Sequence, residues 1–164
     1  MKRKALETKD LMVKKARNGF GIFAKKDFKI GKKVFEIKGS RITGDVDEDI
    51  DDITRANAYR FDRDFYISPD GSMGDFLNHS CKPNVKIMKE KGKLFVITIS
   101  DITSGSELAF DYSTIVASDD VWEMECNCGE KDCRGVIKRF KSLPKKLKEF
   151  YISEKIVPKH ILNI

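Results

Sequence analysis

Four cysteines stand in this chain, Cys81, Cys126, Cys128 and Cys133, and the last three form C-x-C-x4-C within CNCGEKDC. Thiolates at such spacing suit a tetrahedral zinc ion, and four of them fill its coordination with nothing left over. A disulfide framework fits poorly, because cysteines one residue apart do not pair easily. The Gly, Asn and Asp residues between them favour a tight loop. A zinc site of this kind ties residues 126–133 back to Cys81, some 45 positions earlier. With four thiolates bound, no coordination position stays open for substrate, so the metal's task is structural.

Three other stretches have the residue types for chemistry. The polar run Asn78-His79-Ser80-Cys81 directly follows the apolar pair Phe76-Leu77. A histidine beside a cysteine suits a thiol nucleophile or a metal ligand. With Cys81 assigned to zinc, Asn78 and His79 are left to bind a ligand through amide and ring hydrogen bonds. The second stretch, Glu107-Leu108-Ala109-Phe110-Asp111-Tyr112, is a strand ending in a carboxylate and a phenol; an aromatic strand end packed into a core has the same pattern. The third, Arg17-Asn18-Gly19-Phe20-Gly21, allows close approach of backbone to a ligand, and equally a tight turn between strands. It lacks the spacing of a dinucleotide-binding loop.

The elements that must position these residues are mostly short strands. Residues 10–14, 20–24, 33–39 and 64–68 have runs of Val, Ile and Phe between glycines. Residues 84–89 and 93–100 flank a Lys91-Gly92 turn and read as a hairpin. A further strand covers 107–110. Near the end, Ser142 and Pro144 mark the start of a helix that puts Leu143, Leu147, Phe150 and Tyr151 on one face. The expected fold class is therefore mainly β, with one C-terminal helix. The length, 164 residues, is that of one domain with a small appendage, and 40% hydrophobic content is too high for a disordered chain. No run approaches the roughly 20 apolar residues needed to span a membrane, and the first residues lack a signal peptide's apolar stretch. Reduced cysteines without an export signal point to an intracellular protein, with nucleus and cytoplasm both open.

Charge is unevenly spread. Residues 1–43 carry 14 basic and 4 acidic side chains, 44–135 carry 10 and 20, and 136–164 carry 8 and 2. Basic ends around an acidic middle fit an anionic partner at the ends and a cationic ligand between them, or simply Lys-rich solvated surfaces. Residues 44–52 hold six acidic side chains in nine and read as a solvated loop or the start of a short helix through Ala58, with charge that suits a lysine-rich peptide or simply a solvated face.

Taken together and in this order, the motifs resemble one family, the SET-domain protein lysine methyltransferases. The matching residues are Gly19-Phe20-Gly21, Tyr59-Arg60-Phe61-Asp62, Asn78-His79-Ser80-Cys81-x-Pro83-Asn84, Glu107-Leu108-x-Phe110-Asp111-Tyr112, and the post-SET loop Cys126-x-Cys128-x4-Cys133. The resemblance implies a β-clip fold of small curved sheets, with a knot-like crossing where the segment after Asn78-His79 meets the segment through Tyr112. It divides the chain into a SET domain at 10–114, a post-SET zinc loop at 124–140 and a C-terminal helical extension at 141–164. It also implies S-adenosylmethionine as methyl donor, held by Arg17, Asn18, Gly19, Phe20, Gly21, Asn78 and His79, with Val136 or Ile137 packing on its adenine ring. Tyr112 would be the catalytic tyrosine and Tyr59 a channel tyrosine. Phe110 stands where the family carries Phe or Tyr, and Phe leaves space for an already methylated amine, which implies a di- or trimethyl product.

The chain also departs from the family. Asp75 stands where many relatives carry a basic residue, and 66–76 is shorter than in many chromatin-modifying relatives. No cysteine-rich module precedes Met12, so the C-terminal helix is the expected brace for the core. The substrate implied is a lysine-containing protein or peptide, a histone among the candidates. The competing function is an idle SET module that binds a protein partner or a nucleic acid, with basic ends that include Lys138, Arg139, Lys141, Lys145, Lys146 and Lys148 making phosphate contacts.

Overall fold

The computed structural model describes residues 6–43 and 56–164. The acidic segment 44–52 therefore lies outside the described residues. The strands, in chain order, are β1 (Leu11–Lys15), β2 (Phe20–Ala24), β3 (Lys33–Ile37), β4 (Ser40–Thr43), β5 (Tyr59–Arg60), β6 (Phe65–Ser68), β7 (Asn78–His79), β8 (Val85–Glu90), β9 (Lys93–Thr98), β10 (Glu107–Phe110), β11 (Met124–Glu125) and β12 (Val136–Ile137). They form four small sheets with strand orders β1-β2-β10-β7, β3-β9-β8, β4-β6-β5 and β11-β12. Most pairs are antiparallel. The β10–β7 pair is parallel, and it sets Ala109 beside Asn78 and Phe110 beside His79.

Period-2 alternation builds the main core. Val85 and Ile87 of β8 and Leu94 and Val96 of β9 are buried, as are Ile22 of β2 and Leu108 and Phe110 of β10. The hairpin between β8 and β9 turns at Lys91 and Gly92, both with positive φ, the mirror-image geometry that suits a right-twisted ribbon. The expected strands form, with ends shifted by a residue or two. The two-residue strands β5, β7, β11 and β12 and the edge strand β4 go beyond the expected strands.

The C-terminal helix, α1 (Lys145–Ser153), is present and is followed by one turn, α2 (Lys159–Leu162). Its start differs from the expected one. Ser142 ends a 3-10 turn at Phe140–Ser142, and Pro144 occupies the cap position. The cause is local: a residue before proline is pushed out of the helical region, and Leu143 is extended at ψ 152°. The expected apolar face also narrows. Leu143 and Tyr151 are buried and Leu147 packs beside them, whereas Phe150 is 53% exposed, one helical step off that face. Together with Ala117, Phe140, Ile156, Val157 and Ile161, these residues form a second hydrophobic cluster that braces the core from the C-terminal side. Among the described residues no helix is long and apolar enough to cross a membrane.

Candidate functional site

The parallel β7–β10 pair lies between two cavities. Leu77 and Phe110 line the larger one, and their neighbours Asn78 and Ala109 line the smaller. The two short strands, with Leu77 just ahead of β7, serve as a partition.

The larger cavity is about 340 Å³, with walls that include Tyr59, Tyr66, Phe110, Tyr112 and Trp122. Tyr59 stacks on Phe110 with centroids 5.8 Å apart, Phe110 meets Tyr112 at 4.9 Å, and Tyr112 meets Trp122 at 6.3 Å. The Tyr59 hydroxyl donates to the Gly74 carbonyl at 2.6 Å, and the Tyr112 hydroxyl donates to the Leu77 carbonyl at 2.9 Å. Burial raises the pKa of both phenols, so they stay protonated and neutral. Their oxygens remain acceptors, which suits an amine entering an otherwise apolar space. Two carboxylates share the wall. Burial raises the pKa of Asp75, and Asp120 accepts from Tyr66 at 2.5 Å and from Arg60 at 3.0 Å. Arg60, only 4% exposed, also pairs with Asp119 at 3.0 Å and so secures the segment that carries Trp122.

The smaller cavity is about 130 Å³ and polar, lined by Arg17, Asn18, Asn78, His79, Glu107 and Cys128 among others. Asn78 Nδ2 donates to the Phe20 carbonyl at 3.0 Å and to Glu107 Oε1 at 2.8 Å. Gly21 lets the Glu107 carboxylate come close to the backbone: a β-carbon there would lie 2.2 Å from Glu107 Oε1, and that flexible side chain would have to move. The side chains of Arg17 and Asn18 reach away to the Asn127 carbonyl, at 3.1 and 2.9 Å, and so tie the turn to the cysteine loop. Val136 and Ile137 do not line this cavity. Val136 is 37% exposed on β12, and Ile137 is 1% exposed. Of this expected pair, only Val136 has a side chain open to a ligand.

Cys81, Cys126 and Cys128 converge with His79, their ligating atoms all within 4.8 Å of one another. Cys133 sits beside them, its thiol 3.8 Å from the Cys126 carbonyl and accepting from the Gly135 amide at 3.4 Å. Strands β11 and β12 close the loop at its neck, where the Cys126 amide donates to the Gly135 carbonyl at 2.8 Å. His79 is better placed to support the thiols than to ligate. Its Nδ1 accepts the Tyr112 amide at 3.1 Å, so Nε2 carries the ring proton and faces Cys81 Sγ at 3.4 Å. Burial, outweighing nearby Asp111, lowers its pKa to about 4 and keeps the ring neutral. The Arg134 amide also points at Cys81 Sγ, at 3.5 Å. The Arg134 Nε is buried without a partner among the described residues, next to a cluster that becomes anionic once the thiols deprotonate. N–H donors and a guanidinium around four thiols fit one structural zinc ion.

Sequence reasoning missed Trp122, Arg60 with its acidic partners, Glu107 as a ligand-facing carboxylate, and Arg134. Two carried a usable signal: Trp122 is the chain's one tryptophan, and Arg134 directly follows Cys133.

A SET domain family model matches residues 19–113. Histone-lysine N-methyltransferase 2B of Homo sapiens is 31% identical over 130 residues, covering 73% of this chain and 5% of its own length. Histone-lysine N-methyltransferase TRX1 of Oryza sativa subsp. japonica is 32% identical over 134 residues, covering 73% of this chain and 13% of its own. For Su(var)3-9 of Drosophila melanogaster the figures are 30% over 149 residues, 73% and 23%. The chain thus spans less than a quarter of the length of each of these relatives. KRYPTONITE, solved in complex with mCHH DNA, H3(1-15) peptide and SAH, superposes with a TM-score of 0.61 at 23% identity, over 78% of this chain and 29% of that one, which shows a shared fold.

Proposed function

This chain belongs to the SET-domain family, and we propose that it is a protein-lysine N-methyltransferase using S-adenosylmethionine, with a histone or another basic protein as substrate. The observation that carries the reading is the partition: an aromatic cavity with two neutral phenols backs onto a polar cavity, with Tyr112 and Asn78-His79 at the divide. The curated relatives, histone-lysine methyltransferases, support the substrate class. Within this reading, 10–114 is the catalytic module, 124–140 the zinc loop and 141–164 a helical brace.

The smaller cavity suits the cationic, amine-bearing end of the donor, to which Glu107, Asn78 and the 17–21 turn offer a carboxylate, an amide and backbone. When bound, it supplies an electrophilic methyl group on a sulfonium, which the amine's lone pair takes as the carbon–sulfur bond breaks. The chain's own task is to present that lone pair. At a free pKa near 10.4, only about one lysine in 2,500 is neutral at pH 7. The apolar walls of the larger cavity desolvate the ammonium and favour loss of its proton to solvent. Tyr59 and Tyr112 then hold the nitrogen through their oxygens, aligned for in-line attack. Phe110, in contact with both rings, offers no hydroxyl to hold a water or restrict the amine, which favours di- or trimethylation. The four cysteines Cys81, Cys126, Cys128 and Cys133 hold zinc. The basic ends add a surface for nucleic acid that leaves the chemistry unchanged.

The test is transfer of labelled methyl from S-adenosylmethionine to histones and a basic-protein extract, beside Tyr112→Phe. Label on lysine, reduced on the order of 100-fold in the variant, is the expected result. Strong, salt-sensitive nucleic-acid binding without donor binding would replace this reading with the idle module.

A further inference from the structure

We propose that Tyr151, on helix α1, is a positioning residue for the chemistry at Tyr112 and acts through Asp111. The inference rests on the methyl-transfer reading and assigns a task to the C-terminal extension beyond bracing the core.

Asp111 is 1% exposed, and a carboxylate at that depth needs each oxygen hydrogen-bonded. Its Oδ1 accepts from Arg134 Nη2 at 2.7 Å and from the Ser113 amide at 3.0 Å. Its Oδ2 accepts from the Tyr151 hydroxyl at 2.8 Å. His79 Nδ1 lies 3.6 Å from Oδ1. Donors from the end of the cysteine loop and from α1 therefore converge on the residue that precedes Tyr112, with the His79 ring packed alongside.

That residue sets the direction of the Tyr112 ring. The Asp111 carboxylate caps the 3-10 turn at Tyr112–Ile115. The Asp111 carbonyl accepts from the Thr114 amide at 2.9 Å and from the Thr114 hydroxyl at 2.7 Å. The Tyr112 amide is held by His79 at 3.1 Å. The phenol oxygen stands at the end of this lever, so a tilt of about 10° at the turn moves it by about 1 Å, a displacement able to cost on the order of 100-fold in rate.

Packing does not explain the Tyr151 hydroxyl. The ring is 2% exposed within the second hydrophobic cluster, where phenylalanine would fill the same space, and its single polar atom is directed at Asp111. Burial beside that carboxylate raises its pKa and keeps it a donor. Loss of the hydroxyl leaves Oδ2 buried and unpaired, and the carboxylate turns to regain a partner.

The experiment compares Tyr151→Phe with Leu147→Ala, which loosens the same cluster without touching Asp111. For Tyr151→Phe, kcat should fall about tenfold with both KM values within twofold, and amide exchange at Tyr112 and Ser113 should accelerate. Leu147→Ala should lower Tm more and leave kcat at 25 °C within twofold. Unchanged exchange at Tyr112 and Ser113 in Tyr151→Phe overturns the proposal whatever the activity, as does a kcat loss matched by Leu147→Ala. Absence of methyl transfer in the wild-type chain would count against the parent reading alone, because the exchange measurement still decides this one.

Discussion

The two cavities are built by different means. The aromatic one is walled by strand pairing and core packing: Tyr59 and Phe110 are fully buried, and the hydroxyls of Tyr59 and Tyr112 rest on backbone carbonyls close to them in the fold. The polar one takes part of its wall from the cysteine loop, through Cys128 and Glu130, and that loop is held to the 17–21 turn by exposed hydrogen bonds at Asn127. Exposed polar contacts each contribute about 1 kcal/mol and are easily replaced by water. The aromatic cavity is therefore a property of the fold, whereas the polar cavity depends on whatever closes four thiols together.

Metal removal should break this contrast most sharply. Chelation is expected to abolish methyl transfer and weaken donor binding on the order of 100-fold, while hydrogen exchange in β8 and β9 stays slow. Simultaneous unfolding of the core would show that the two sides are not independent.

Phe110→Tyr sharpens the aromatic side. The added hydroxyl enters space between Tyr59 and Tyr112, and the crowding, about 1–3 kcal/mol, should slow later methyl additions by roughly ten- to a hundredfold and leave monomethyl-lysine as the main product by mass spectrometry. An unchanged product distribution would remove Phe110 as the determinant.

The smallest effect concerns the brace. His160 Nε2 lies 3.0 Å from the Arg60 carbonyl, and burial lowers the ring's pKa below the ordinary 6.5. The unfolded chain therefore binds this proton more readily, so stability is lost as pH falls below 6.5. His160→Gln should lose less Tm than wild type between pH 7.5 and 5.5, a difference of a few degrees readable by calorimetry.

Much of this was legible in the sequence because it rests on short-range order. The hairpin at Lys91-Gly92 follows from turn chemistry, and the alternation in β8 and β9 follows from strand period. Asn78-His79 and Tyr112 carry their family pattern whole. The start of α1 lies beyond the cap that Ser142 suggests, because Pro144 holds Leu143 out of the helical region. Phe150 was placed inside because apolar type was counted without the 100° step that turns it outward. The short strands β5, β7, β11 and β12 are hidden in the sequence because two residues have no readable period; only the pairing partner makes them strands.

The sequence by itself determined the candidate site residues, the thiols and the strand-rich class, since each depends on residue type and local spacing. Tertiary structure decided how these groups are shared out. It set Asn78 and Phe110 on opposite cavities, placed His79 between the Tyr112 amide and the Cys81 thiol, and brought Arg134 and Tyr151 to one carboxylate from 23 and 40 residues away. Such contacts arise only when long loops close, and closure is driven by burial of the whole core, which no single motif encodes.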